Sequence, residues 1–327
     1  MQSNSSGLRV GIDQGASGSG ATSARASGAF PFVLGSTLLG TIGVFVHYAN
    51  AGVLAATWYR CAFGLLGLTI WLSFRRQLGA LRLDMRSGPW VVLAGLLLVA
   101  SWALFFGAIG RVSTGVAVVL FQVQPMWVLL LGAFWLKEPI GGQRLASVGV
   151  ALVGLLLATG VLEHTFLFGD ATTSGGLGYW LGVVFCLVGA FLTACVTVIT
   201  KRLGARPAGV VAWWQCLVGS LILWPWTAEQ GWQLWASSWP WLAGLGLIHT
   251  GLTYTLMYAG MPHLSAGRIA ILQFVYPAAA IFIDWLYFER QLGVLQLVGV
   301  AIMAVAIGVS EFRPRQSSAH RGSLKSR

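Results

Sequence analysis

Charge is what this chain has least of. Of its 327 residues, 9% are Asp, Glu, Lys or Arg, against roughly 25% in ordinary soluble domains. Acids are scarcer still, nine against twenty basic residues. With 57% hydrophobic content and a mean hydropathy of +0.77, a soluble domain is excluded. The apolar runs lack the polar/apolar alternation of a transmembrane barrel, which leaves helices as the spanning element. Cysteine is sparse: Cys61, Cys186, Cys195 and Cys216 fall inside apolar runs at spacings that match no metal site. The histidines at 47, 164, 249, 263 and 320 are scattered, so no metal set or base for an intramembrane enzyme is visible and no cofactor is implied. Rings of like charge and a filter motif, the marks of a channel, are also missing. The first 29 residues have no apolar core of a signal peptide, so the first spanning helix is expected to act as its own insertion signal.

What the chain does have is apolar segments long enough for helices that need about 20 residues to cross a hydrocarbon core. Ten are expected, at 30–49, 53–74, 88–110, 113–136, 143–162, 178–200, 208–228, 239–261, 264–288 and 293–311. Residues 1–29 are small, polar and glycine-rich and read as a disordered tail, with a basic tail at 312–327. If the amino terminus is cytoplasmic, the inside segments carry nearly every basic residue and the outside loops only Arg111 and Arg290. The positive-inside rule then places both termini in the cytoplasm of a multi-pass inner-membrane protein. Basic residues at helix ends and tails, without one basic face, argue against nucleic acid as a partner. The partners expected are the bilayer and a small molecule, and the protein is expected to be a monomer.

A gapless shift of 152 residues places Ser113 on Ser265, Gly115 on Gly267, Leu120 on Leu272, Val123 on Val275 and Pro125 on Pro277. The halves, 30–162 and 178–311 on either side of an outside loop at 163–177, therefore read as copies. Five helices is an odd number, so the second copy enters the membrane inverted, as in many secondary transporters with a substrate site at the midplane. Pro125 and Pro277 each lie roughly 18 to 20 Å along their helices, near the bilayer centre. An interior proline frees the carbonyl four residues earlier, here those of Phe121 and Gln273, which is tolerable beside a wet cavity. A matched pair suggests two hinges.

The candidate site residues follow from depth. Arg60 lies inside the second span, where a charge should face protein or water; it could hold a substrate carboxylate, or pair with carbonyls or Asp284. His249, near mid-depth, shares a polar and aromatic face with Thr250, Thr253, Tyr254 and Met257. Trp102 lies well below either surface, where its indole needs a partner or a cavity. Trp180 begins the sixth span, above a G-x-x-x-G at Gly178 and Gly182 expected to admit a close helix neighbour. Gln122 and Gln124 point to opposite sides of a continuous helix, so one can face a cavity squarely; Gln124, paired in the repeat with Tyr276, is the choice. No carboxylate is expected at mid-membrane, which argues against a carboxylate proton relay.

The stretches STGVAVVLFQVQPMWVLLLGAFWLKEPIGGQRLASVGVALVGLLLATG and LSAGRIAILQFVYPAAAIFIDWLYFERQLGVLQLVGVAIMAVAIGVSE resemble the EamA-type repeats of the drug/metabolite transporter superfamily. In each, small residues open a helix, a proline sits within it, Glu138 or Glu289 closes it, Gln143 or Gln296 starts the next and Gly149 or Gly299 follows. The resemblance implies a ten-helix basket around a central cavity and export of small metabolites or amino acids. The 16 tryptophans make the chain similar to aromatic amino-acid exporters of the YddG kind. Trp102, Gln124, Trp180, His249, Tyr254 and Tyr276 are the expected substrate-binding set, and transport is expected to be facilitated. Proton-coupled drug or metabolite efflux through His249 is the alternative, and an intramembrane enzyme a distant one.

Overall fold

The computed structural model describes residues 16–108, 111–112, 114–139, 141–159, 176–204, 206–229, 236–287 and 293–312. Ser113, Glu289, Arg290, most of the expected outside loop and nearly all of the basic tail lie outside these residues. Every regular element among those described is helical. Seven helical stretches are long and apolar enough to cross a membrane, and two shorter apolar helices run over Gly142–Ala158 and Val294–Ser310. The remaining expected span, 239–261, is a helix divided by a π turn.

The first expected span is α1 (Ala16–Gly40) followed by α2 (Ile42–Ala49). It starts inside the stretch that composition reads as a tail, and it is interrupted at Thr41. Then come α3 (Val53–Phe74) and α4 (Gly88–Ala108). The fourth span is two pieces, α5 (Thr114–Phe121) and α6 (Gln124–Trp135), followed by α7 (Gly142–Ala158). Next are α8 (Leu177–Arg202), α9 (Ala208–Glu229), α10 (Trp239–Gly246), the π turn Leu247–Leu252 and α11 (Thr253–Gly260). The ninth span is again two pieces, α12 (Ala266–Leu272) and α13 (Val275–Tyr287), and α14 (Val294–Phe312) closes the order.

The two prolines are not mid-helix kinks. Each helix stops before its proline, and Pro125 and Pro277 stand in the first turn of α6 and α13, where a missing N–H would be unpaired anyway. The expected free carbonyl of Gln273 is taken by the N–H of Tyr276 at 3.3 Å, a tight turn across the break.

The main pairings are α7 with α14, α3 with α9, α4 with α8, α1 with α11, α1 with α13 and α6 with α8. Exchanging the halves maps this set onto itself. Small residues allow the closest crossing: a Cβ on Gly154 would come within 2.8 Å of the Gly299 carbonyl, so α7 and α14 touch backbone to backbone. Of the expected G-x-x-x-G pair, Gly182 packs closely, with a Cβ there 2.9 Å from Val112, whereas Gly178 faces open space.

Candidate functional site

A cavity of about 1300 Å³ lies at the centre of the helices and takes wall residues from nearly all of them. One end of the molecule carries Arg82, Arg86, Arg202 and Arg206 around the α3–α4 and α8–α9 connections. The cavity wall reaches the opposite end, through Val46, Val53, Thr159, Asp284, Gly293 and Gln296. Toward the basic end it stops at Tyr258 and Met261.

Beyond that floor the chain is closed by contacts between the halves. Gly132 on α6 sits so tightly on Ala266 of α12 that even a methyl group at 132 would overlap it. Glu138 receives the Ala266 N–H at 2.6 Å through Oε2, and its Oε1 pairs with Lys201 at the end of α8. The Arg202 guanidinium lies 5.9 Å from the centre of the Trp135 ring, which meets Trp90 at 5.5 Å. The repeat partners of the closing pieces, α5 and α13, make no comparable packing among the described residues; Val118 and Phe121 of the one and Ala280 and Asp284 of the other line the cavity.

Arg60 is part of the wall. Its Nε donates to Thr250 Oγ1 at 2.7 Å and its Nη2 to the Tyr254 hydroxyl at 3.1 Å. The guanidinium carbon lies 5.7 Å from the centre of the Trp102 ring and 5.5 Å from that of Tyr254. These are cation–π distances, so the charge is held among neutral hydroxyls and rings and not by Asp284. The π turn accounts for Thr250: its hydroxyl reaches back five residues to the Leu245 carbonyl at 3.3 Å while accepting from Arg60. Such widened turns cluster at functional sites.

Of the expected binding set, Trp102, Gln124, Tyr254 and Tyr276 line this cavity, as do Arg60 and Pro277. Two members do not. His249 has no exposed surface and stands behind the wall. The Thr41 hydroxyl shares a hydrogen bond with His249 Nε2 at 2.8 Å and lies 2.8 Å from the Leu38 carbonyl, and the His249 ring sits edge-on to Phe45 at 4.5 Å. The π turn rotates His249 toward α2 and brings Thr250 toward the cavity. Trp180 is 58% exposed on the outer surface of α8 and belongs to no cavity wall. Pro125 is buried beside the cavity. Gln122 and Gln124 both line it, because the break after Phe121 removes the continuous helical phase that would have set them on opposite faces. Gln124 also donates to Thr197 Oγ1 at 3.3 Å.

Sequence reading gave no site role to Tyr258 or to the side chains of Gln273 and Glu138. Gln273 sits in the break before Pro277 and lines the cavity, and its side-chain oxygen has no hydrogen-bond partner among the described residues. Position next to a proline break was the available signal. Tyr258 donates to Gln215 Oε1 at 2.6 Å, which fixes the floor.

The profile of the EamA-like transporter family matches this chain twice, over residues 26–160 and 180–311. The chain belongs to that family. Its relatives include an uncharacterized transporter of Bacillus subtilis, YxxF, 24% identical over 90% of this chain and 93% of that protein. Another is an uncharacterized transporter of Archaeoglobus fulgidus, 27% identical over 84% of this chain and 93% of that one. An Escherichia coli K12 protein named "Probable amino-acid metabolite efflux pump" is 26% identical over 49% of this chain and 58% of its own length. A solved crystal structure has the same fold, with a TM-score of 0.74 over 89% of this chain and 96% of that one at 18% identity. For an EamA-like transporter, a multi-pass membrane protein, the cavity between the halves is the place to look for a substrate.

Proposed function

We propose that this chain is a carrier that exports small metabolites, amino acids with aromatic side chains among them, across the cell's inner membrane by alternating access. The observation that carries the reading is the inequality of the two ends: α6 meets α12 at the basic end, while their repeat equivalents stand apart around the cavity. Ten spanning helices in two inverted five-helix repeats, with both termini cytoplasmic, make this the outward-open state of a rocking pair. The helix pairings that survive exchange of the halves support that arrangement. The E. coli relative's name supports the choice of amino acids.

Transport is facilitated in this reading. Asp284, near the open end, is the acid among the described residues of the cavity wall, and His249 lies behind the wall, so neither forms a relay through the middle. The test is flux into liposomes for a panel of amino acids, nucleosides, sugars and quaternary ammonium compounds. Amino acids are expected to equilibrate without a pH gradient. Amino-acid flux equal to that of empty liposomes would sink the substrate class, and strict dependence of net flux on a pH gradient would sink the uncoupled mechanism.

A further inference from the structure

We propose that Arg60 is the carboxylate anchor of the cavity, so that the substrates admitted are small carboxylates, zwitterionic amino acids among them, and cationic or neutral amphiphiles are refused. The proposal rests on the reading of the cavity as the substrate site and names the chemistry selected there.

Among the described residues of the wall Arg60 is the cation, and each of the partners described for it is neutral. A guanidinium has five N–H donors. Two are used by Thr250 and Tyr254, so three remain, including both of Nη1. The rings of Trp102 and Tyr254 and the two hydroxyls fix the plane of the group, so it is a preorganised fork of the kind that receives a carboxylate by two parallel hydrogen bonds. A cation held at this depth among neutral groups attracts an anion more strongly than the same group in water would.

The backbone is shaped to hold it. The π turn places Thr250 under Nε, and it does so against glycines: a Cβ at Gly64 would stand 3.0 Å from Thr250 Cγ2, and one at Gly246 would overlap Phe63. A cation merely tolerated in a membrane helix needs no such fitting.

The cavity also offers what the rest of an amino acid requires. Gln122, Gln124 and Gln273 line the same cavity, and an amide oxygen accepts from an ammonium. Tyr276 lines the same wall as Arg60 and Asp284. The Trp102 and Tyr254 rings give an apolar side chain a surface beside the anchor.

The test uses purified full-length protein in nanodiscs and calorimetric binding of matched probes: L-phenylalanine, L-leucine and 3-phenylpropanoate, the amide of each, and tetraphenylphosphonium. At least one acid is expected to bind at least tenfold more tightly than its amide. Arg60→Gln should abolish that preference, and Arg60→Lys should restore part of it, which separates charge recognition from a role in folding. Amides or tetraphenylphosphonium binding as well as the acids, no binding by any acid, or an acid preference intact in Arg60→Gln would each overturn the proposal. Flux in liposomes separates this from the carrier reading. An acid that binds through Arg60 but is never moved keeps the anchor and overturns the carrier; movement of cations without acid binding does the reverse.

Discussion

The two proline-broken spans are built alike and used differently. In one, the piece after the break, α6, carries Gly132 and leads to Glu138, and both touch the first piece of the other span at Ala266. Their repeat equivalents, α5 and α13, instead contribute Val118, Phe121, Ala280 and Asp284 to the lining of the cavity. Near-identical breaks at Pro125 and Pro277 therefore give one seal and one opening. The difference teaches that the breaks themselves do not choose a state. What chooses is the set of contacts each half-helix makes at its far end, namely close packing of small residues and one carboxylate shared by a backbone N–H and a lysine.

The largest effect should come from wedging the seal. Gly132→Leu puts a branched side chain where there is no room for a methyl, and overpacking of this kind costs about 1–3 kcal/mol. That is roughly a 5- to 150-fold change in the balance of open and closed. A single cysteine at Met261, on the cavity floor, should then react with a charged thiol reagent added from the basic side, and flux should fall. Unchanged protection of that cysteine would show that α6 and α12 are not the seal.

Glu138→Gln should act in the same direction more weakly. The glutamine can still accept the Ala266 N–H, but it loses the charge that Lys201 pairs with; the pair is mostly covered, with Lys201 10% and Glu138 27% exposed. A hydrogen-bonded pair of this kind nets about 0.5–1.5 kcal/mol, so a shift of up to roughly tenfold toward opening at the basic end is expected. Lys201→Met should give an effect of similar size, because the carboxylate it leaves keeps the Ala266 N–H and some exposure to water. Equal labelling of the Met261 cysteine in wild type and both variants would remove the carboxylate from the seal.

Much of this was readable before any coordinates. Apolar helices follow from apolar length, and the family's double match follows from the 152-residue shift. Trp102 stood out because an indole at depth needs a cavity or a partner, Tyr254 because it shared a face with His249, and Tyr276 because it pairs in the shift with Gln124. Two kinds of information were not legible. Helical phase fails wherever a helix is broken or widened: the π turn at Leu247–Leu252 exchanged the expected roles of His249 and Thr250, and the break after Phe121 turned both Gln122 and Gln124 inward. Long-range pairing of polar groups is also invisible to pattern. Thr41 meets His249 and Glu138 meets Ala266, joining segments with nothing in the local sequence to announce it.

The removal of His249 from the cavity gives a prediction that sharpens the same comparison, since His249 binds α2 to the π turn near the open end. Its ring is enclosed by Thr41, Gly244 and Phe45, and every one of those contacts is structural. His249→Gln should therefore lower thermal stability by the loss of a buried hydrogen bond and ring packing, about 1–3 kcal/mol. The pH profile of flux between about pH 6 and 8 should not change in shape, because the ring has no path to the substrate. A profile that flattens in His249→Gln while the midpoint of unfolding stays put would return the histidine to the transport path.

The smallest effect is expected at the exposed edge of the same end, at the tether between the α3–α4 connection and the start of α9. Asp84 accepts from the Ser87 hydroxyl and from Arg206, and these bonds, Ser87 first, hold its carboxyl below the usual carboxylate range. A lowered folded-state pKa means the carboxylate form stabilises the fold at all pH values above the ordinary value near 3.9. That contribution is lost only as pH falls through the lowered value. Asp84 is exposed, so screening keeps the contribution small. Asp84→Asn should leave flux and the state of the Met261 cysteine unchanged at neutral pH, and its unfolding midpoint should converge with that of wild type only below about pH 4. A clear change in labelling at neutral pH would mean that closure at the basic end extends past Glu138 to the α3–α4 connection, making the seal a wider surface than the contact of α6 with α12.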